Sequence, residues 1–181
     1  MGDEEAPESV APPVYTLAPE SPFALLSPEE TRAWYAYMKV QLRLRFEMNR
    51  QLRADHGLSL ADYDLLVALV SDDEGTLTMT TLATRVGWER SRVSHQVRRM
   101  TQRGLVTVGA STTDRRASEV TLTEQGRATL AAVAPGHIDL VRTMFLDVLD
   151  GARMSQLAAS FELIYEQLIE HGTLPRPVDH P

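Results

Sequence analysis

Residues 90–100 read "RSRVSHQVRRM", four arginines and a histidine without an acid. A guanidinium is a planar fork of N–H donors that stays charged at any working pH, so it suits phosphate oxygens and the edge of guanine rather than proton transfer. Ser91, Ser94 and His95 stand among these arginines as short polar groups that reach base edges equally well. A second basic cluster follows at Arg115 and Arg116, with Asp114 beside it. From Arg85 to Ser118 there are eight arginines against Glu89 and Asp114, a net charge of +6 in a chain whose total is -7. The rest of the chain therefore carries about -13. A basic segment on an acidic body is the electrostatic footprint of a face that binds a polyanion. The plain alternative for the charge alone is a solvated basic helix.

Other chemistry has little to stand on. Cysteine is absent, which excludes disulfides, thiolate metal sites and thiol redox sensing. There is no G-x-S-x-G, no P-loop and no histidine pair at metal-ligand spacing. His56, His137 and His171 each stand alone in sequence, and His95 has no second histidine three or four residues away. No catalytic residue, metal or cofactor is expected, and the chain does not read as an enzyme. Of its 18 basic residues, 17 are arginine and only Lys39 is lysine, a bias that genome base composition explains as well as function does. No apolar run approaches the length of a membrane span. The acidic, proline-rich start lacks the basic and apolar regions of a signal peptide, so a cytoplasmic protein is expected.

The elements that must position the arginines follow from periodicity. Residues 1–26 hold five of the ten prolines and are expected to form a disordered or loosely attached tail. "SPEE" then supplies Ser27 as cap, Pro28 in the first turn and Glu30 as its reciprocal partner, opening a helix to about Asp55. A second helix is expected over 59–70, with Ser59 or Asp62 near its start. Leu82, Ala83 and Val86 suit a short helix stopped by Gly87. In the basic helix that follows, Val93, Val97 and Met100 share one inward stripe. Ser91, His95, Arg98, Arg99 and Gln102 fall on the opposite face, with Arg92 and Ser94 on its flanks. Gly104 ends that helix.

After Gly104 the period changes to two. Leu105–Val108 and Glu119–Thr123 read as strands of a hairpin whose tip holds Arg115 and Arg116. Thr123 caps a long helix to about Leu149, which Pro135–Gly136 should kink. A last helix from Ser155 to about Glu170 carries Leu157, Phe161, Ile164 and Leu168, and residues 173–181 should be irregular. The fold class is therefore mainly α with a small β-hairpin wing, a winged helix-turn-helix with long N- and C-terminal helices. Two basic elements on one side point to double-stranded DNA as the partner.

The runs "LATRVGWERSRVSHQVRRMTQRGLV", "DRRAS" and "LTEQG", in this order and spacing, resemble the MarR family of transcriptional regulators over about residues 28–171. The resemblance implies one domain over 27–172, with a DNA-binding lobe at 62–123 and dimerisation helices at 27–58 and 137–172. It implies a homodimer that binds a pseudo-palindromic operator, usually as a repressor released by a small ligand. Ser91, Arg92, Ser94, His95, Arg98, Arg99, Arg115 and Arg116 are then the expected DNA-binding residues, with Asp114 supporting the wing. Arg92 is the candidate reader of guanine, and Arg98 and Arg99 the candidate phosphate clamps. Trp34, Tyr37, Met38, Tyr63 and Asp64 could line a pocket for a small aromatic or phenolic effector; core and dimer packing accounts for them too. Glu89 is a poor cap for the recognition helix, and Thr107 stands where the family often has a basic residue. The missing cysteine, and Gln96 where an urate-responsive branch has arginine, argue against peroxide and urate as signals. An alternative function is a helical-dimer interaction module, or an activator in place of a repressor.

Overall fold

The computed structural model describes residues 15–111 and 116–177. It divides into two compact units, with the boundary between Leu44 and Arg45 inside the first long helix. In the first unit, Ser21 caps a 3-10 turn, Pro22–Leu25. Helix α1, Pro28–His56, then opens on the expected reciprocal cap. The Ser27 amide donates to Glu30 Oε2 at 2.7 Å, and the Glu30 amide donates back to Ser27 Oγ at 3.2 Å. Tyr15 stacks on Tyr35 with ring centres 4.8 Å apart, and Phe23 meets the same ring edge-on at 5.2 Å. Lys39 Nζ donates to the Tyr15 hydroxyl at 2.6 Å. Residues 15–26, expected within the loose tail, thus carry a turn and aromatic contacts to α1.

The second unit holds the last part of α1, then α2 (Leu60–Val70), strand β1 (Thr76–Thr78), α3 (Met79–Val86), α4 (Arg90–Gln102), β2 (Val106–Ala110), β3 (Ser118–Leu122), α5 (Glu124–Val141) and α6 (Gly151–His171). Its core is aliphatic. Leu52 of α1, Leu65, Leu66 and Leu69 of α2, Leu82 of α3, Val93, Val97 and Met100 of α4, and Val120 of β3 are almost wholly buried. Each such side chain contributes about 1.5–3 kcal/mol of transfer free energy. The inward stripe of the basic helix is therefore the one its period predicts.

The sheet has three antiparallel strands in the order β1-β3-β2. Only the β2–β3 hairpin was legible in sequence. β1 is three residues long, too short to show a period. It exists because its backbone pairs with β3, Leu77 opposite Val120. Central β3 turns Val120 and Leu122 into the core.

Two glycines fix how the elements join. Gly87 ends α3 in the left-handed region at φ 67°, its amide donating to Thr84 O at 3.2 Å. An L side chain there would be strained, so the sharp turn between α3 and α4 needs glycine. Gly126 lies under the carbonyl of Leu105, and a Cβ would sit 2.2 Å from that oxygen. Thr123 works beside it: Oγ1 accepts from the Gly126 amide at 3.0 Å and donates to Gly104 O at 2.7 Å. The "LTEQG" run thus clamps the start of α5 onto the end of the recognition-helix segment.

Helix α5 runs through Pro135 to Val141 and passes into a π-helical turn, Arg142–Leu146. It stops short of Leu149. Asp150 then caps α6, accepting from the Arg153 amide at 2.8 Å, so the last helix starts four residues before its expected Ser155. Beyond its end, Arg176 pairs back to Glu166. Among the described residues no helix is long and apolar enough to cross a membrane.

Candidate nucleic-acid interface

Helix α4 buries Val93, Gln96, Val97 and Met100 and leaves Arg90, Ser91, Arg92, His95, Arg98 and Arg99 exposed, with Ser94 half-buried. Every expected DNA-facing position of this helix is thus available to a partner. Glu89 makes no side-chain cap bond, so the first-turn amides of α4 remain open to an anion. A surface groove of about 350 Å³ is lined by Met79 at the start of α3, by Arg90, Ser91 and Ser94 of α4, and by Ser118 of β3. The groove brings the recognition helix and the base of the wing to one face.

The Arg92 side chain has a defined seat. Its guanidinium lies over the Trp88 ring, 4.0 Å from the ring centre. Trp88 itself packs against the hydrophobic core.

The wing tip is described in part. Arg116 is exposed just before β3, with the hairpin register Gly109 opposite Glu119 and Ala110 opposite Ser118. Ser111 Oγ donates to Glu119 Oε1 at 2.6 Å and ties the base of the turn. Arg115 and Asp114 lie outside the described residues.

Asp62 anchors α4 from behind, a role the sequence reading confined to a helix cap. One oxygen, Oδ2, accepts from the Ser59 amide and hydroxyl, each at 2.8 Å, and from Arg103 Nη1 at 2.8 Å. The other accepts from Gln96 Nε2 at 2.5 Å. Burial alone would raise this carboxyl; the Ser59 hydrogen bonds and the Arg103 charge outweigh it and hold Asp62 below the usual carboxylate range. Arg103 also donates to Gly57 O at 3.1 Å, so the end of α4 is tied to the start of α2. The signal that could have found this was Gln96: a polar residue on a face otherwise assigned to Val93, Val97 and Met100 needs a buried partner.

The expected effector residues are divided between the two units. Trp34 and Tyr37 sit together in the first unit, ring centres 5.6 Å apart, with Met38 half-buried next to them in sequence. Tyr63 and Asp64 sit on α2 in the second unit. There Tyr63 packs on the ring of His137 of α5 at 4.3 Å, and Arg45 Nη2 donates to Asp64 Oδ2 at 3.2 Å. Burial raises the Asp64 carboxyl, against the pull of Arg45, Arg92 and His137. Burial also raises the Tyr63 hydroxyl, and the Asp64 charge adds to it. His137 is pushed below its usual value by burial, against the pull of Asp64, and its Nδ1 has no partner among the described residues. His137, read in sequence as an isolated residue, therefore packs on one expected effector residue, Tyr63, and feels the charge of another, Asp64.

A MarR family model matches residues 56–117, the span from the end of α1 to the wing. Among solved structures the chain is similar to AbsC, a MarR family transcriptional regulator from Streptomyces coelicolor, at 33% identity and a TM-score of 0.76, over 81% of this chain and 98% of that one. It is similar to Sco3205, a MarR family transcriptional regulator from the same organism solved in complex with DNA, at 33% identity and a TM-score of 0.78, over 83% and 97% of the two chains. The organohalide-sensing RdhR-CbdbA1625 regulator, solved with 2,4-dichlorophenol bound, shares the fold at 18% identity and a TM-score of 0.73, over 92% and 99%. No curated protein sequence matches the chain.

Proposed function

The chain belongs to the MarR family, and from that premise we propose that it is a sequence-specific DNA-binding transcriptional regulator, a ligand-responsive repressor that works as a homodimer. The observation that carries the reading is the geometry of the basic face. Exposed Arg92, Arg98 and Arg99 stand on a helix whose opposite side is locked into the core, and Arg90, Ser91 and Ser94 of the same helix share a groove with Ser118 at the base of the wing. An α-helix held in this way fits a major groove, with its first turns at base edges and its later arginines at phosphates. Ser91, Arg92, Ser94 and His95 are the base-edge candidates; Arg98 and Arg99 clamp the backbone. Arg116, with Arg115 and Asp114 by resemblance, serves the adjacent minor groove. That Sco3205, similar to this chain, was solved in complex with DNA supports the DNA-binding reading.

The dimer reading rests on unpartnered apolar surface. Helix α6 runs for 21 residues with none buried, and Leu163 is 71% and Leu168 64% exposed. Phe161 and Ile164 are also exposed, as are Leu42 and Phe46 on α1. Apolar surface of this extent on two long helices marks a protein interface. A small aromatic or phenolic effector is the ligand we assign to the residues around Tyr63 and Asp64. The 2,4-dichlorophenol complex of a distant relative makes that class reasonable.

The test is to incubate the purified chain with sheared genomic DNA, recover the bound fragments and sequence them. The regulator reading expects a short inverted repeat to be enriched, which then shifts on a gel at physiological salt. Recovery of no enriched sequence would favour the alternative, a helical-dimer interaction module.

A further inference from the structure

Arg92 combines three features. Its guanidinium carbon lies over the Trp88 ring, 4.0 Å from the ring centre, it is exposed, and among the described residues it makes no hydrogen bond or ion pair within the chain. Stacking engages the flat face of a guanidinium, whereas hydrogen bonding to guanine engages its N–H edge. The indole therefore holds the side chain without spending the donors. Asp64 acts on Arg92 only at a distance, because its carboxylate is bonded to Arg45 and does not capture the recognition-helix arginine. Trp88 is in turn fixed, since it packs against the core and its amide donates to Ala83 O at 3.0 Å, one residue past the Gly87 turn.

We propose that Trp88 is a specificity-determining positioning residue: its ring preorders the Arg92 fork in the free protein, so that base reading does not have to freeze a freely rotating arginine. This rests on the reading of Arg92 as a base contact. Trp88 itself touches no base in the proposal. It acts through Arg92, and a cation–π contact of this kind at an exposed site is worth about two- to fivefold in an equilibrium constant.

The experiment uses full-length protein and two probes, a duplex enriched by the wild-type chain from a random-sequence pool and a scrambled duplex of the same composition. Affinities for both are measured by fluorescence anisotropy at fixed salt, and discrimination is their ratio. Trp88→Leu keeps apolar bulk and removes the ring face; it should lower discrimination about two- to fivefold while leaving scrambled-duplex binding in place. Trp88→Phe and Trp88→Tyr should restore part of it, in the order of their ring quadrupoles. In an Arg92→Ala background Trp88→Leu should have no further effect. Full discrimination by Trp88→Leu, or a loss that adds to that of Arg92→Ala, overturns the proposal. Where Trp88→Leu melts below the assay temperature, the Tyr and Phe variants carry the test, and equal discrimination by Trp, Tyr and Phe overturns it. If Arg92→Ala itself keeps discrimination, the base-reading role of Arg92 falls, and the role of Trp88 falls with it. If Arg92→Ala loses discrimination and Trp88→Leu does not, only the role of Trp88 falls.

Discussion

At the scale of residues, the proposed reading gives the arginines of α4 two different jobs on one helix, and the difference can be measured. Arg99 is exposed one turn before the helix ends, and its proposed partner is phosphate, which every sequence offers equally. Arg99→Ala should therefore weaken specific and scrambled duplexes by the same factor and make the salt dependence shallower by about one unit per site. A selective loss on the specific duplex would mean that the facing of the helix is misassigned. His137 makes a second prediction. Burial depresses its pKa in the folded chain, so the folded state binds fewer protons there than the unfolded state does. Its contribution to stability is therefore kept above the ordinary histidine range and lost as pH falls through it. The slope is at most about 1.4 kcal/mol per pH unit. Asp64 titrates with the opposite sign, because burial raises it, so the histidine is isolated by difference. His137→Phe keeps a ring on Tyr63 and should flatten the fall in melting temperature between about pH 7.5 and pH 5.5. An unchanged slope would remove His137 from the account.

At the scale of elements, junctions matter more than helices. Gly126 sits where α5 crosses the Leu105 carbonyl, and a Cβ there meets backbone that cannot rotate away. Gly126→Ala should cost about 1–3 kcal/mol in urea denaturation, the range for forcing a methyl into a filled site. A cost below about 0.5 kcal/mol, the range of ordinary surface changes, would contradict the crossing. These junctions also explain what could be read in advance. Ser27 with Glu30, Thr123, Gly87 and the Val93–Val97–Met100 stripe were legible because caps, left-handed turns and helical period are local properties of sequence. β1 was not, because three residues become a strand only through their partner in β3. The Asp62–Gln96–Arg103 network was not legible either, since it joins residues 34 and 41 positions apart. Pro135 was read as a kink and the helix as reaching Leu149. Pro135 lies inside the helix without ending it, and the helix changes to a π-helical turn at Arg142, short of Leu149. The contact of Trp88 with Arg92 was not legible, because it depends on how α4 leaves the Gly87 turn.

At the scale of the whole molecule, the acidic total and the basic face are one design. A chain of net charge -7 repels polyanions except near its exposed basic residues Arg90, Arg92, Arg98, Arg99 and Arg116. In the proposed dimer, built through the exposed apolar residues of α1 and α6, this surface is presented twice. Light scattering at micromolar concentration should give twice the 20.2 kDa chain mass, and charged substitutions at Leu163 and Leu168 should halve it without loss of helix signal. A stable wild-type monomer would contradict the dimer. The central claim is that the basic face binds duplex DNA through its phosphates and reads sequence through α4. Its most direct test is a salt titration of affinity for the enriched duplex. With Arg98, Arg99 and one wing arginine in each of two lobes, about six phosphates are neutralised, and log K should fall against log salt with a slope of about -5. A slope near zero, or equal affinity for the enriched and scrambled duplexes throughout, would contradict it.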